Sequence, residues 1–247
     1  FRNYSLEGDI ISSSIRSLYE DSKGRLWIGT NDKGVICLEN DIFTAITSPE
    51  DYSFLCIRDF AETSDGTIYV ASNSGMAYIS DGAIVPLDNE EISGETVYAI
   101  ETDSYDRIWL CTTYGRAGAI KNNQLLTMYT SDMFFATDEI YSIATKDNKV
   151  YLGTSGNQIA QLTFTDEGTD STSYSLKYLS TNDVHTHNRL DITADGHILV
   201  SGLTGFYVYF ADGTTKEYTE AHNVTSINAA TMDYEGNLWL ASSSTGV

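Results

Sequence analysis

A repeat of about forty residues constrains the fold of this 247-residue chain more than any other feature. Four of the six copies contain a turn of the form Asp-x-x-Gly or Asp-Gly, the other two have Asp103-Ser-Tyr-Asp106 and Asp147-Asn-Lys149 there, and in every copy a short run of residues follows around one large anchor. The six anchors lie 42, 40, 42, 48 and 40 residues apart: Trp27, Tyr69, Trp109, Tyr151, Leu199 and Trp239. Such even spacing predicts one structural unit that is repeated six times.

The order of segments within a copy predicts four short strands joined by tight turns. A first run such as Ile15–Glu20 precedes the Asp/Gly turn, in which glycine supplies a positive φ and aspartate bonds its own backbone. The anchor strand, a second turn and two further strands follow. Four-stranded antiparallel units at this period are typical of an all-β β-propeller, and we expect residues 1–247 to form one such domain with six blades visible.

The first run of each copy carries its apolar residues at the first and fourth places, as Ile15 and Leu18 or Val97 and Ile100 do. This spacing is closer to that of a helix than to that of a regular strand, but six residues before a hairpin turn are too few for a packed helix. We therefore interpret these runs as innermost strands, bulged where they crowd around a central channel.

The tryptophan anchors are predicted to be core residues. Trp27, Trp109 and Trp239 occupy one register, and a four-stranded sheet hides its faces only when blades stack radially. Their alternative role, as aromatic platforms for a sugar, is the less common fate of a periodic aromatic residue.

Charge and composition exclude several classes of function. The chain has 14 Lys and Arg against 35 Asp and Glu, a net charge of −21, and no basic cluster that would bind nucleic acid or an anionic membrane surface. No apolar run is long enough to insert into a membrane. Cys37, Cys56 and Cys111 are odd in number and lie in strand-like runs, so we expect free, buried thiols that leave the redox compartment open.

The segment 20–30, Glu-Asp-Ser-Lys-Gly-Arg-Leu-Trp-Ile-Gly-Thr, resembles the two-component regulator propeller repeat. The copies around Trp27, Trp109 and Trp239 match this family's pattern well, those around Tyr69 and Tyr151 less well, and the copy around Leu199 lacks the aromatic residue. The resemblance implies a ring that is usually seven-bladed. We expect Phe1–Tyr4 to form a fourth strand that closes the ring or completes a previous blade, and the chain to be a piece of a longer protein.

The resemblance also implies a function. Proteins with this repeat are typically bacterial membrane receptors whose propellers lie outside the cytoplasmic membrane and signal to a histidine kinase or a diguanylate cyclase. We therefore expect a non-enzymatic, extracytoplasmic sensor domain without a cofactor. Its expected partners are a small-molecule or oligosaccharide ligand, receptor segments beyond Val247 and a second copy in a homodimer.

Two other functions stay open at this point. The streptogramin lyases are propellers with similar Trp-containing repeats and a magnesium-assisted His/Glu site, although this sequence has no His-x-Glu pairing in the corresponding stretches. A platform for protein interaction is the third reading, and its acidic surface would favour basic partners.

Metal sites are not expected. His185 and His187 form a close pair that supplies two ligands at most, and we interpret them as solvated loop residues. The recurrent turn aspartates are spread one per blade, whereas calcium needs six to eight oxygens that converge. We interpret them as structural turn residues: Asp21, Asp65, Asp103, Asp195 and Asp233.

The candidate ligand site lies in loops predicted to converge at one face of the propeller. The loops between second and third strands and those entering the inner strands supply Asn31, Asp32, Asn73, Tyr114, Arg116, Asn157, Gln158, His187 and Arg189. Tyr114 is placed to stack on a sugar ring, and Arg116 and Arg189 to bind the carboxylate of an acidic sugar. Salt bridges to the many carboxylates are the competing role for the two arginines.

Overall fold

The computed structural model describes residues 14–48, 54–135, 139–165 and 173–243. In these ranges the chain forms β-strands joined by turns and three single-turn 3-10 helices: Thr113–Gly115, Ser131–Met133 and Glu220–His222. The all-β prediction is confirmed. No helix in the described part of the chain is long and apolar enough to cross a membrane.

The first three blades are antiparallel sheets whose strands follow one another in chain order. Blade 1 contains β1 (Ile15–Glu20), β2 (Leu26–Thr30), β3 (Val35–Glu39) and β4 (Ile42–Ala45). Blade 2 contains β5 (Ile57–Glu62), β6 (Ile68–Ser72), β7 (Gly75–Ser80) and β8 (Ala83–Pro86). Blade 3 contains β9 (Val97–Thr102), β10 (Ile108–Thr112), β11 (Arg116–Lys121) and β12 (Gln124–Tyr129).

The last three blades repeat this arrangement, with one difference. Blade 4 contains β13 (Ile140–Lys146), β14 (Lys149–Thr154), β15 (Gln158–Phe164) and β16 (Tyr174–Ser180). Blade 5 contains β17 (His187–Ile192), β18 (Ile198–Gly202), β19 (Gly205–Tyr209) and β20 (Thr215–Thr219). Blade 6 has two strands among the described residues, β21 (Ile227–Met232) and β22 (Leu238–Ser242).

Among the described residues the structure therefore holds five complete blades and a partial sixth, rather than six complete ones. Successive inner strands are neighbours, in the order β1, β5, β9, β13, β17 and β21. The expected fourth strand at Phe1–Tyr4 lies outside the described residues. The propeller prediction itself is confirmed, because each sheet packs face to face against the next one.

The core consists of apolar layers between consecutive blades. Trp27 of blade 1 packs against Phe60 and Val70 of blade 2, and Trp109 of blade 3 packs against Leu152 and Phe164 of blade 4. Both indoles are buried, with 3% and 0% of their surface exposed. Burial between blades is the expected role for these two anchors, and the structure agrees.

The same prediction is wrong for Trp239, which is 54% exposed. Its register places it on the face of blade 6 that is turned away from blade 5, and no described residue packs there as a further blade. The matching face of blade 1 is open as well, since Ile15 and Leu18 are 47% and 63% exposed. Their counterparts in complete interfaces, such as Val97 and Ile100, are 0% and 1% exposed.

The six inner strands are bulged, as the sequence spacing indicated, and the structure places each bulge at the second residue. In β1, Ile15 pairs with Thr30 and Ser17 with Gly29, so Arg16 has no partner in the register. The same irregularity occurs in the other five inner strands. The bulged residues are Arg16, Arg58, Tyr98, Tyr141, Asn188 and Asn228.

Candidate functional site

The six bulged residues, here called the bulge ring, meet around one end of the central channel. All of them line a cavity of about 540 Å³, which we call the channel-mouth cavity, together with Thr186 and Arg189. A bulge bends its strand and redirects a side chain away from the regular alternation. Because every blade contributes its bulge at the same register, six segments some forty residues apart place one side chain each at a common site.

Neighbouring contacts orient several members of the ring. Nε of Arg58 donates a hydrogen bond of 2.5 Å to Oδ1 of Asn73, and its guanidinium lies 4.9 Å from the ring centroid of Tyr98. The rings of Tyr98 and Tyr141 are in a T-shaped arrangement with 6.1 Å between centroids. The Tyr141 hydroxyl donates to Glu139 at 2.8 Å. The cation–π contact places the guanidinium over one face of Tyr98, and the T-shaped pair fixes the rings of Tyr98 and Tyr141 relative to each other.

The two arginines of the bulge ring have no ion-pair partner in the part of the chain that the structure describes. Among the described residues, no carboxylate lies within 4.0 Å of the guanidinium of Arg16 or Arg58. Burial, and then the nearby charge of Arg16, lowers the pKa of Arg58. Two arginines of like charge thus stand side by side in a chain whose net charge is −21.

Deeper in the channel, an arginine side chain forms ion pairs with carboxylates. A second cavity of about 800 Å³ shares Arg16, Arg58 and Arg189 with the channel mouth. Arg189 lies 3.2 Å from a carboxylate oxygen of Asp191 and 3.8 Å from one of Asp59. Asp59 also accepts a hydrogen bond from the backbone N–H of Ile100. This part of the channel is a compensated ion cluster.

Burial and neighbouring charges shift the pKa values of the ionisable groups in this cluster. Burial raises the pKa of Asp59 and of Asp191, while the charge of Arg189 partly opposes the shift. The charge of Asp59 raises the pKa of Arg189. Burial, followed by the charge of Asp59, raises the pKa of Glu101 to about 7. Glu101 keeps contact with solvent in the channel, but protein surrounds it and a second carboxylate stands nearby.

Arg189 is the residue from the sequence-predicted site that lines these two cavities. Asn73 joins the site through its hydrogen bond to Arg58. Asn31 is next to it, since its side-chain oxygen accepts a bond from the thiol of Cys56 at 3.2 Å. These three predicted residues therefore lie at or beside the channel mouth.

The other loop residues stay outside the cavity linings. Arg116 forms an ion pair of 2.5 Å with Glu95, the competing role that the sequence allowed for it. Tyr114 is 78% exposed and has a left-handed backbone, with φ at 66°. Asn157 donates to the backbone oxygen of Asn182. Asp32 is exposed on the loop between the second and third strands of blade 1, and Gln158 is the exposed first residue of β15.

His187 belongs to the interior instead. It is fully buried, and its Nδ1 accepts a hydrogen bond from the backbone N–H of Thr154 in blade 4. Its Nε2 lies 2.8 Å from the hydroxyl of Thr181. Burial lowers the pKa of His187 to about 4, so the ring is neutral at pH 7. The interpretation of this histidine as a solvated loop residue is wrong.

Four of the five turn aspartates, Asp21, Asp65, Asp103 and Asp233, bond their own turns as the sequence suggested. In the turn that contains Asp195, the hydroxyl of Thr193 accepts the backbone N–H bond of His197 instead. Both carboxylate oxygens of Asp21 are hydrogen-bonded, to the backbone N–H groups of Lys23 and Arg25 and to the side chains of Arg25 and Trp27. Asp103 and Asp233 make the corresponding bonds in their own turns. Among the described residues, no group of three or more His, Cys, Asp or Glu side chains is placed to hold a metal ion.

Sequence reasoning found the bulges but not the bulge ring. Its signal was present, because the second residue of every inner run interrupts the apolar first and fourth places and is an arginine, a tyrosine or an asparagine. The second residues of the six inner runs, compared with one another, are the six residues of the bulge ring. The predicted site lay in loops because functional residues are often found in loops on a rigid frame.

The fold and the channel define this chain as a β-propeller with a polar site at one channel mouth. A family model described as two component regulator propeller matches residues 9–32, which confirms the resemblance seen in the sequence. The match covers one copy of the repeat, the one around Trp27. No curated protein sequence matches it.

Solved structures show the same fold. One is the extracellular domain of a hybrid two component system from B. thetaiotaomicron, at 20% identity and a TM-score of 0.72. It is matched over 93% of this chain and 32% of its own length, so the present chain spans about a third of that domain. A catalytically inactive virginiamycin B lyase from Staphylococcus aureus, solved with quinupristin, has 17% identity, a TM-score of 0.70, and coverage of 96% and 78%.

A gluconolactonase from Xanthomonas campestris is also similar, with 11% identity, a TM-score of 0.64, and coverage of 93% of this chain and 83% of its own. At such identities the likeness concerns the fold alone. Receptor domains and enzymes share this architecture, so the function has to be argued from the channel mouth.

Proposed function

We propose that this chain is an extracytoplasmic, ligand-sensing propeller domain of a bacterial membrane receptor of the two-component type. The observation that carries the proposal is the bulge ring, in which each of six blades contributes one polar or aromatic side chain to the channel-mouth cavity. A site built on inner strands of a rigid frame is preorganised for a ligand. The ligand is a small molecule or an oligosaccharide.

A site shared by all blades also suits signalling. A ligand that contacts residues from blades on opposite sides of the ring stabilises one relative arrangement of those blades, and a receptor can pass on such a bias. The partners in this proposal are the ligand, further receptor segments and a second copy of the chain. The two-component repeat and the receptor ectodomain with the same fold support this function.

The composition of the ring suits a saccharide. Tyr98 and Tyr141 offer aromatic faces to a sugar ring, and the exposed amides of Asn188 and Asn228 donate and accept hydrogen bonds. The Asn188 amide already donates to the backbone oxygen of Ile227 at 2.9 Å, which fixes its direction. Few polar groups with defined directions on a concave surface are typical of small-ligand sites.

Calorimetric titration with a panel of oligosaccharides tests this proposal. We expect one member to bind, and Tyr98→Ala to weaken its binding by about tenfold, the equivalent of about 1.4 kcal/mol. Tyr234→Ala is the matched control, because that tyrosine is 97% exposed on a turn of blade 6. If the parent and Tyr98→Ala bind the oligosaccharide equally well, the ligand site is not at the channel mouth. Turnover of quinupristin by the parent protein would establish the lyase reading instead.

A further inference from the structure

We propose that the ligand of the channel mouth carries an oxyanion, a carboxylate or a sulfate, and that Arg16 and Arg58 hold it. This inference rests on the proposed function, since it names the chemistry of a ligand at the same site. It differs from the sequence-based assignment, in which Arg116 and Arg189 were the anion-binding pair.

The first argument is the distribution of partners among the arginines. Four of the six arginines in the described ranges have a carboxylate within ion-pair distance: Arg25 with Asp21, Arg107 with Asp103, Arg116 with Glu95, and Arg189 with Asp191. Arg16 and Arg58 have none there, although the sequence has 35 acidic residues. The two unpaired arginines are the two members of the bulge ring that carry charge.

The second argument is the orientation of Arg58. Its Nε donates to Asn73, and Tyr98 lies against the guanidinium. The terminal nitrogens have no acceptor among the described residues. A planar guanidinium with both terminal nitrogens available binds a carboxylate or sulfate through two parallel hydrogen bonds. Asn73 and Tyr98 therefore hold this side chain ready for such a ligand.

The third argument is the change of sign along the channel. Below the mouth, Arg189 is occupied by Asp59 and Asp191, and Glu101 adds a further carboxyl group. An anion that entered deeper would meet these acidic groups. At the rim, Glu139 is engaged by the hydroxyl of Tyr141. The favourable position for an oxyanion is the mouth itself, between Arg16 and Arg58.

Matched saccharides separate this inference from the proposed function. We expect a trigalacturonate or a sulfated trisaccharide to bind, a neutral galactotriose to bind at least tenfold more weakly, and the affinity for the acid to fall as salt rises. Comparison of the two acidic probes identifies which oxyanion is preferred. Arg16→Gln and Arg58→Gln should each weaken acid binding about tenfold or more. Lys177→Gln removes one positive charge from an exposed outer strand and should leave binding unchanged.

Two results would overturn the inference. If neutral and acidic sugars bind alike, and both arginine variants bind like the parent, the oxyanion assignment is wrong while the sensor proposal stands. If no saccharide binds, inorganic sulfate is the remaining probe. Stabilisation of the parent by sulfate, lost in Arg16→Gln and Arg58→Gln, would retain the anion site and reject a saccharide ligand. No stabilisation by sulfate would reject the anion site.

Discussion

Asp21 shows how one carboxylate organises a turn, a strand and a core residue. It accepts two backbone N–H bonds within the turn, the side-chain bond of Arg25 at 2.6 Å and the indole N–H of Trp27 at 2.9 Å. The same side chain therefore closes the hairpin and fixes the tryptophan that fills the next interface. This explains why aspartate and tryptophan stand six residues apart in three copies of the repeat.

We expect Asp21→Asn to destabilise the protein by about 1–3 kcal/mol. Asparagine keeps an acceptor for the backbone, but its amide nitrogen cannot accept from the buried indole of Trp27. Chemical denaturation at pH 7 measures the loss. Asp233→Asn, in the exposed turn of blade 6, is the matched comparison and should cost less.

The effect of Asp21 should also depend on pH. Burial alone would raise the pKa of Asp21, but the hydrogen bonds from Trp27 and Arg25 outweigh it and hold the pKa below its ordinary value. The stabilisation is therefore complete above about pH 4, the range of an unfolded aspartate, and is lost as the pH falls through the folded pKa. A difference between parent and variant that grows on acidification would contradict this role.

Glu101 should have the opposite pH dependence. Its pKa is raised to about 7, whereas an unfolded glutamate titrates near about 4.3. Stability is therefore lost as the pH rises from about 4 through 7, because the unfolded chain releases its proton first. Glu101→Gln should match the parent in thermal unfolding at pH 4 and be more stable at pH 8. Glu39→Gln, at an exposed position, is the matched control for the loss of one carboxyl group.

At the scale of the strand, the glycine that follows the anchor marks where two blades approach closely. A Cβ on Gly153 would lie 2.3 Å from Oγ of Ser142 and 2.9 Å from Cβ of His187 in the next blade. Ser142 uses that oxygen to donate to the backbone oxygen of His187 at 2.8 Å. Gly29 in blade 1 is equally confined, against Ser17 and Ile57.

Gly153→Ala should therefore destabilise the protein by about 1–3 kcal/mol through overpacking. Its backbone does not need glycine for a positive φ, so the cost comes from the clash alone. Denaturation of Gly153→Ala in the parent and in a Ser142→Ala background tests this cause. The cost should fall in the second background, where the nearest atom is gone; an unchanged cost would point away from the Ser142 contact.

For the whole molecule, the open faces of blades 1 and 6 matter most. Leu18 and Trp239 occupy positions that are core residues wherever a neighbouring blade is present. The two exposed faces are the complementary halves of an ordinary interface between blades. Both faces therefore expose apolar surface that the complete interfaces between blades bury.

Tryptophan fluorescence tests this exposure. Trp27 and Trp109 are 3% and 0% exposed, so acrylamide should quench Trp239 selectively. Trp239→Phe should remove the accessible fraction of the emission, while Trp27→Phe should leave that fraction in place. A parent protein without an accessible fraction would mean that the face is covered in solution. Light scattering would then show whether a second copy covers it.

The sequence by itself determined the repeat, the antiparallel blades and the turns. These depend on local rules: glycine at a positive φ, aspartate that bonds its own turn, and an anchor strand behind it. It also indicated that the inner strands are bulged, because Ile15 and Leu18 follow a spacing that a regular strand does not allow. Such features depend on contacts within about twenty residues of the chain, and the same local pattern recurs in six copies of the repeat.

Only the tertiary structure decided which residues meet. Arg16 and Arg58 are far apart in sequence, and they share a cavity because the blades stack radially and each bulge turns its side chain to the same end of the channel. Radial stacking likewise buries Trp109 and leaves Trp239 exposed, although their local sequences are alike. Burial and convergence depend on the neighbouring blade, and no single copy of the repeat contains that information.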